Sequence, residues 1–482
     1  MFIMYDYLII GSGIVGSAIA RELSFFEGAI CLVEKSSDIT NGQTIANSGI
    51  IHSGHDPKVG SLKARLCVKG NELYEDLALK LDFPLLTTGA LVVAFTNEEM
   101  NYLNVLYKRA KDNGVKEVGF LTKEETLSLE PNLNETLLGS LSLPSTKTTV
   151  PWEAARAMLE NAITNGLTLK LNHEVTRINK RLDHYEVYFK NQPPILTKGI
   201  INAGGLYSDE VMVMLEDDVI KIYPRRGEYY TLSHEVKGFI NKVIYPVPSK
   251  LGKGVLITPQ PDGHLLVGPN AEDVLNKEDN QTTIKGLNDI KNQAMRLSTE
   301  LPFKENIKNF AGLRAKIKGD DFYINRSTKN KHVYHLVGID SPGLTAAPAI
   351  GKYVIDLIKE DYVLQPKQNV VKTRKRALPF FLDSEENKQK RWQKEPSYGE
   401  LVCRCEKISK QEILNEVTGL IPATSIKAIK KRTRATAGVC QGGYCESRIL
   451  EIISAATNKD LSEINYYEED TPILIEELKV EK

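Results

Sequence analysis

A mixed α/β and α+β chain of three parts is what the sequence predicts, and three observations predict it. Residues 5–34 read as strand, glycine turn, helix and strand. Strand-like segments then recur to about residue 338 without strict alternation with helices. Four of the six cysteines crowd residues 403–445, behind a charged, proline-punctuated stretch. At 482 residues the chain is long enough for two or three domains, each with its own core.

The elements follow in order. YDYLII (5–10) is a short buried-strand run, the turn is Gly11-Ser-Gly13, and residues 14–23 carry helix formers. A second strand at 30–33 ends on Glu34, giving a βαβ start of the doubly wound, Rossmann-like kind. Further strands are expected at 89–95, 184–190, 228–232, 254–258, 264–268 and 333–338, and helices at 59–80, 97–113, 152–164 and 346–359. The β-rich middle is expected to form a second sheet against which a substrate is closed. Residues 365–399 change composition to basic and proline-punctuated and read as a linker. Residues 400–460 read as a small helical domain carrying the cysteines, and 461–482 as an acidic tail.

Composition narrows the function. With 62 basic and 62 acidic residues the formal charge is zero, which points away from nucleic acid but leaves room for a small anionic substrate. Clustered rather than scattered thiols suit metal or redox chemistry in a reducing cytoplasm. The apolar start imitates a membrane span, yet Asp6 and three glycines interrupt it, so no transmembrane segment is expected; the protein is read as cytoplasmic, or peripheral at the membrane's inner face.

Gly11-x-Gly13-x-x-Gly16 lies between strand and helix, with Glu34 ending the next strand. Gly11 permits the tight turn, Gly13 lets backbone approach a pyrophosphate, and Gly16 lets helix pack on strand. The helix N-terminus offers unpaired N–H groups to phosphate, and Glu34 is placed to accept from ribose hydroxyls. FAD is favoured over NAD by later segments. GIINAGG (199–205), containing Gly204, reads as a return to the nucleotide, with Val175 just before it near the adenine. Gly343, Leu344 and Thr345, at a strand–turn–helix start, are expected to aim N–H groups at the flavin ring. On this reading FAD-binding segments lie at about 1–80, 150–215 and 308–360, and substrate-domain segments at about 81–149 and 216–307, within a region 1–364.

The block ANSGIIHSGHDPKVGSLKARL (46–66), with RRGEYY (225–230), YPVP (245–248), GKGVLITPQPDGHLLVGPNA (252–271), FAGLRAK (310–316) and SPGLTAAPAIG (341–351), resembles the FAD-dependent glycerol-3-phosphate oxidases and dehydrogenases. It resembles the L-2-hydroxyglutarate oxidases equally; both belong to the D-amino-acid-oxidase-like flavoproteins. The resemblance implies that His52 is the base, in preference to His55, and that Arg314 binds the anionic end of the substrate. It also implies Lys253, Arg226 and Ser341 as further substrate contacts and Ser48 as a contact to flavin. One departure stands out: the arginine lies in L-R-A, where several glycerol-3-phosphate oxidases read S-R-P.

VCRCEKIS (402–409) with KKRTRATAGVCQGGYC (430–445) resembles the bacterioferritin-associated-ferredoxin type of domain, also found appended to an anaerobic glycerol-3-phosphate dehydrogenase subunit. A [2Fe–2S] cluster takes four thiolates, two per iron, here Cys403 and Cys405 at one edge and Cys440 and Cys445 at the other. Zinc is the rival, because four thiolates suit it as well. Arg404, Arg432 and Arg434 stand ready to tune the cluster, meet an acidic partner or simply face solvent.

Three functions follow. The first is oxidation of sn-glycerol 3-phosphate to dihydroxyacetone phosphate, with electrons leaving through the cluster to a partner subunit or quinone-linked acceptor. The second is oxidation of L-2-hydroxyglutarate to 2-oxoglutarate, and the third a non-catalytic electron-transfer subunit.

Overall fold

The computed structural model describes residues 4–248 and 254–475. Two compact units emerge. One comprises residues up to Val33 with Thr40–Leu169 and Val175–Thr373. The other comprises Glu34–Ile39, Lys170–Glu174 and the chain from Arg374 on.

The first unit holds two large sheets. In the eight-stranded sheet, β1 (Met4–Ile10) is followed by helix α1 (Ile14–Leu23) and by β2 (Ile30–Val33), which lies parallel to β1 with Ile10 opposite Val33. Gln192–Asn202 runs parallel on the other side of β1, and Val333–Val337 continues the parallel run beside it. Three long runs therefore end together, at Ile10, Asn202 and Val337. That shared carboxyl end is where open α/β sheets place their ligands.

The nine-stranded sheet is organised by one antiparallel ribbon, Ile222–Leu232 against Asn306–Ile317. Its apolar core draws on Leu91, Val93, Leu232, Ile244, Ile257, Val267 and Ile290. Of that second strand the sequence yields only residues 310–316, as a family block, since lysines and asparagines hide the alternation. Helix Ile284–Leu297 was likewise not anticipated, although Thr283 caps it by accepting from Gly286 N–H. Between the sheets run β3 (Ile50–Ile51), paired with Lys147–Thr149, and helix α2 (Leu62–Leu81), capped by Ser61.

The second unit packs helices Lys410–Val417, Ile426–Thr433 and Glu446–Thr457 around Ile413, Ile426, Ile429, Ile449 and Ile453. Residues 365–399, expected as a linker, contain a helix at Glu385–Lys394. Ser384 caps it, with Glu385 and Glu386 at its positive end and Arg391 and Lys394 at its negative end. Asp38 is buried here, taking two bonds from Arg432 (2.7 and 3.0 Å) and one ion pair from Lys431 (2.6 Å). Burial alone would raise the Asp38 carboxyl; Arg432 and then Lys431 reverse this and hold it down to about 2. Arg432 is therefore spent inside the fold and does not present to solvent or a partner. Among the described residues no helix is long and apolar enough to cross a membrane.

Candidate functional site

The glycine turn assigns each glycine a physical task. Gly11 has φ +104°, and a Cβ there would lie 2.6 Å from Ala203 O. A Cβ on Gly16 would lie 2.0 Å from Gly11 O, so helix and turn touch backbone to backbone. A Cβ on Gly13 meets only Thr44 Oγ1, at 3.2 Å, which leaves the space beside the start of α1 open. No side chain caps α1 from Gly13, and Ile14 N–H donates to Thr44 Oγ1 at 2.9 Å. This cradle fits a dinucleotide pyrophosphate. Gly204 follows Asn202, whose Oδ1 accepts Gly204 N–H (3.2 Å) and whose amide bonds Ser208 O (2.8 Å) and His335 Nδ1 (3.1 Å). Glu34 directly follows β2 and accepts Ser36 N–H at 3.1 Å, and Val175 opens the strand Val175–Lys180.

The segment 46–52 threads through the first unit and meets a different element at each step. Ala46 seats against Gly312, where a Cβ would come within 2.0 Å of Ala46 O. Ser48 shares a hydrogen bond with Tyr229 Oη (3.3 Å), and its carbonyl accepts from Gln260 (3.0 Å). Tyr229 stacks on Phe310 across the ribbon at 4.6 Å.

His52, half-buried, is held at both ends. Its N–H donates to Thr345 Oγ1 (2.9 Å), and its carbonyl accepts from Asn71 Nδ2 (3.0 Å). Its Nδ1 lies 3.0 Å from Tyr245 Oη. Behind Asn71 is a buried lysine, Lys147, whose ammonium donates to Asn71 Oδ1 (3.0 Å) and Ser145 O (3.1 Å) and pairs with Glu75 (3.1 Å). His55 lies buried with Nδ1 3.1 Å from Ser53 Oγ, its ring edge-on to Tyr245. Sequence reasoning missed Tyr245, Asn71, Lys147 and Tyr229; a tyrosine inside VIYP reads as core, and Asn71, Tyr229 and, behind Asn71, Lys147 join the His52 and Ser48 segment only through the tertiary fold. Thr345 opens the helix Gly343–Asp361 with Gly343 and Leu344, and Leu344 O accepts from Tyr74 Oη (2.7 Å). Ser341 is exposed just before it.

The two arginines part company. Arg225 stands opposite Arg314 in the ribbon, and Arg226 opposite Leu313, so alternation puts Arg226 on the face away from Arg314. Arg226 is buried and ringed by Glu272 (2.5 Å), Asp279 (2.7 Å) and Glu228 (3.5 Å). Its cation is already neutralised, against the expectation that it contacts substrate. Arg314 is half-buried, donates to Asn270 O at 3.0 Å, and among the described residues has no carboxylate partner. Lys253 lies outside the described residues.

In the second unit the thiols sort differently from the expected edges. Cys405 Sγ lies 3.5 Å from Cys440 Sγ, while Cys403 and Cys445 are buried in the same core cluster. A tetrahedral metal with bonds of ~2.3 Å sets its sulfurs about 3.8 Å apart, so the Cys405–Cys440 pair suits one iron. The Cys440 thiol is pulled below its ordinary pKa by Cys405 and by the Gly442 and Tyr444 N–H groups. Burial pushes Cys445 up to about 12. A Cβ on Gly438 would collide with Cys405 Cβ at 2.4 Å, as close backbone wrapping requires. Four thiols, two buried and two nearer the surface, match the ligand number of a two-iron cluster. Arg434 reaches Glu406 (3.3 Å), and Arg404 lies over the Tyr444 ring.

Comparison with known proteins agrees with both halves. Residues 6–357 match the family "FAD dependent oxidoreductase", and residues 401–455 match the "BFD-like [2Fe-2S] binding domain". The chain is 40% identical over 472 residues, 98% of each chain, to a glycerol 3-phosphate dehydrogenase of Caloramator mitchellensis. It is 34% identical to a mitochondrial L-2-hydroxyglutarate dehydrogenase of Caenorhabditis briggsae, over 55% of this chain and 63% of that one. The FAD-bound L-alpha-glycerophosphate oxidase of Mycoplasma pneumoniae superposes with a TM-score of 0.75 at 32% identity, covering 78% of this chain and all of that one. The chain therefore belongs to the FAD-dependent oxidoreductase family: it is an enzyme related to the glycerol-3-phosphate dehydrogenases and oxidases, with a BFD-like [2Fe–2S] domain following its flavin region.

Proposed function

We propose that this enzyme oxidises sn-glycerol 3-phosphate to dihydroxyacetone phosphate, with His52 as base and Arg314 as anchor for the phosphate. The observation that carries it is the contrast at the ribbon: Arg314 has no carboxylate partner among the described residues, on the face shared with Tyr229, which bonds the His52 segment at Ser48. FAD, when bound, supplies the two-electron acceptor for the carbinol hydrogen. His52 takes the hydroxyl proton as the C–H electron pair departs and C=O forms. Arg314 holds the phosphate through a planar fork, and Lys253 joins it on the family reading. Tyr229 and Phe310 stack on the same face of the ribbon. A [2Fe–2S] group supplies one-electron chemistry, which suits an electron-accepting protein partner or a quinone-linked acceptor, met in the cytoplasm or at the membrane surface.

The test is anaerobic. Glycerol 3-phosphate added to the purified holoenzyme should bleach the flavin absorbance near-stoichiometrically; an unchanged spectrum sinks the substrate assignment. The second reading, L-2-hydroxyglutarate, is favoured by Arg225, a second cation on the Arg314 face. Faster bleaching by L-2-hydroxyglutarate in the same cuvette would replace the first reading with it. Full flavin reduction by a His52→Ala variant would return the chain to the non-catalytic reading.

A further inference from the structure

We propose that Tyr245 is a positioning residue for the base: its hydroxyl oxygen accepts Nδ1–H of His52, so that Nε2 carries no hydrogen and can receive the substrate's proton. The inference rests on His52 being that base.

The His52 backbone is fixed before its ring is considered. Thr345 accepts its N–H and Asn71 donates to its carbonyl. The Asn71 amide has only one workable orientation. The Lys147 ammonium can only donate, so it must face Asn71 Oδ1, which leaves Nδ2 for the His52 and Ser145 carbonyls. With the backbone pinned, the imidazole keeps its side-chain torsions alone, and contact with Tyr245 Oη at 3.0 Å selects among them.

The chemistry then fixes the direction of the bond. A neutral imidazole carries one N–H, and Nε2 serves as a base only when that hydrogen is on Nδ1. Once the proton arrives, both nitrogens carry hydrogen, and a neutral phenol at Nδ1 can then only accept. The same bond, in the same direction, therefore serves both states and strengthens as positive charge grows on the ring. The phenol stays neutral throughout, because its burial, with Cys67 and Asp56 nearby, raises its pKa well above the usual value. Among the described residues, the titratable groups facing the pair include His55, edge-on to the phenol ring, Asp56 and Cys67, with Lys147 and Glu75 behind Asn71.

The experiment compares wild type, Tyr245→Phe and His52→Gln as FAD-loaded holoenzymes with glycerol 3-phosphate. In Tyr245→Phe, kcat should fall about 10²-fold as the wrong tautomer becomes populated. KM should stay within ~2-fold, because substrate contacts are untouched. The acid limb of the pH profile should move to lower pH, since the imidazolium has lost an acceptor. In 15N-histidine-labelled wild type, the His52 resonances should show hydrogen on Nδ1 and a bare Nε2. That spectrum decides the matter alone if the variant does not retain FAD. Wild-type kcat and pH profile in Tyr245→Phe, or hydrogen on Nε2 in wild type, overturns the inference. If His52→Gln keeps full flavin reduction, the base assignment itself fails. If His52→Gln is dead while Tyr245→Phe is normal, only the role of Tyr245 fails.

Discussion

The two faces of the ribbon Ile222–Leu232/Asn306–Ile317 carry the same side chain to opposite ends. On one face Arg226 is buried among Glu228, Glu272 and Asp279. On the other, Arg314 gives one bond to the Asn270 carbonyl. A guanidinium taken out of water must be neutralised by something. At Arg226 the fold does it; at Arg314 the described residues supply a carbonyl dipole and no carboxylate, which on the proposed reading leaves an anionic ligand to complete the set. Asn270 joins the faces, since its Oδ1 accepts Glu228 N–H at 2.8 Å while its carbonyl orients Arg314.

The largest expected effect breaks the comparison at its functional side. Arg314→Met should lower kcat/KM for glycerol 3-phosphate about 10³-fold, about 4 kcal/mol, through loss of a charge-assisted pair. The thermal midpoint should barely move. Arg314→Lys should recover part of the loss, since a point charge replaces the planar fork. Steady-state kinetics beside a melting curve checks both, and a lowered midpoint with intact kinetics would invert the assignment.

Arg226→Met probes the structural side. It leaves the fully buried Glu228 carboxylate without its cation, held by the Thr283 N–H and hydroxyl, and should cost about 3 kcal/mol of stability. Substrate KM should stay close to wild type, and denaturant unfolding with retained KM is the expected pair of results.

A deeper version of the structural case lies in the second unit, at Asp38 with Arg432 and Lys431. Its carboxyl is held at about 2 against an ordinary 3.8, a depressed folded value. The stabilisation is therefore complete above pH 3.8 and is lost as pH falls through about 2. The difference amounts to about 2 kcal/mol. Acid unfolding followed by fluorescence of Trp392, in the helix Glu385–Lys394, should steepen in that window, and Asp38→Asn should flatten it.

How legible these places are in the sequence follows from their geometry. The βαβ start, the Gly11, Gly13 and Gly16 tasks and the helices at 97–112 and 151–164 rest on local spacing, and local spacing is what a sequence displays. R-R-G-E-Y-Y displays two arginines, and a period of two guarantees that they face opposite ways. Which one faces a partner strand depends on Asn306–Ile317, some eighty residues on. The cysteines teach the same lesson. Cys403 and Cys405 look like one edge, yet Cys403 sinks into the core beside Cys445 while Cys405 stays near the surface with Cys440. Lys147, Asn71 and His52 come from a strand, a helix and a loop, and no spacing links them.

The smallest expected effect is the one that sharpens the substrate question. Arg225 shares the Arg314 face and forms a two-point pair with Asp273, through Nε (2.5 Å) and Nη2 (2.8 Å), with Asp273 largely exposed. Exposed pairs of this kind contribute about 0.5 kcal/mol or less, so Arg225→Met should leave stability nearly unchanged. Its kinetic effect depends on the shape of the substrate. Glycerol 3-phosphate has one anionic end, which the proposed reading assigns to Arg314, and a neutral hydroxymethyl end that asks nothing of a second arginine. L-2-hydroxyglutarate has a carboxylate at each end, and its second carboxylate would compete with Asp273 for Arg225. On the glycerol 3-phosphate reading, Arg225→Met should change KM by less than ~2-fold. A tenfold rise in KM for L-2-hydroxyglutarate, with kcat/KM for that acid above the value for glycerol 3-phosphate in wild type, would mean that both arginines of this face bind substrate. The spent and the available cation would then no longer divide by face, and a pair with an exposed carboxylate would itself be part of a binding site.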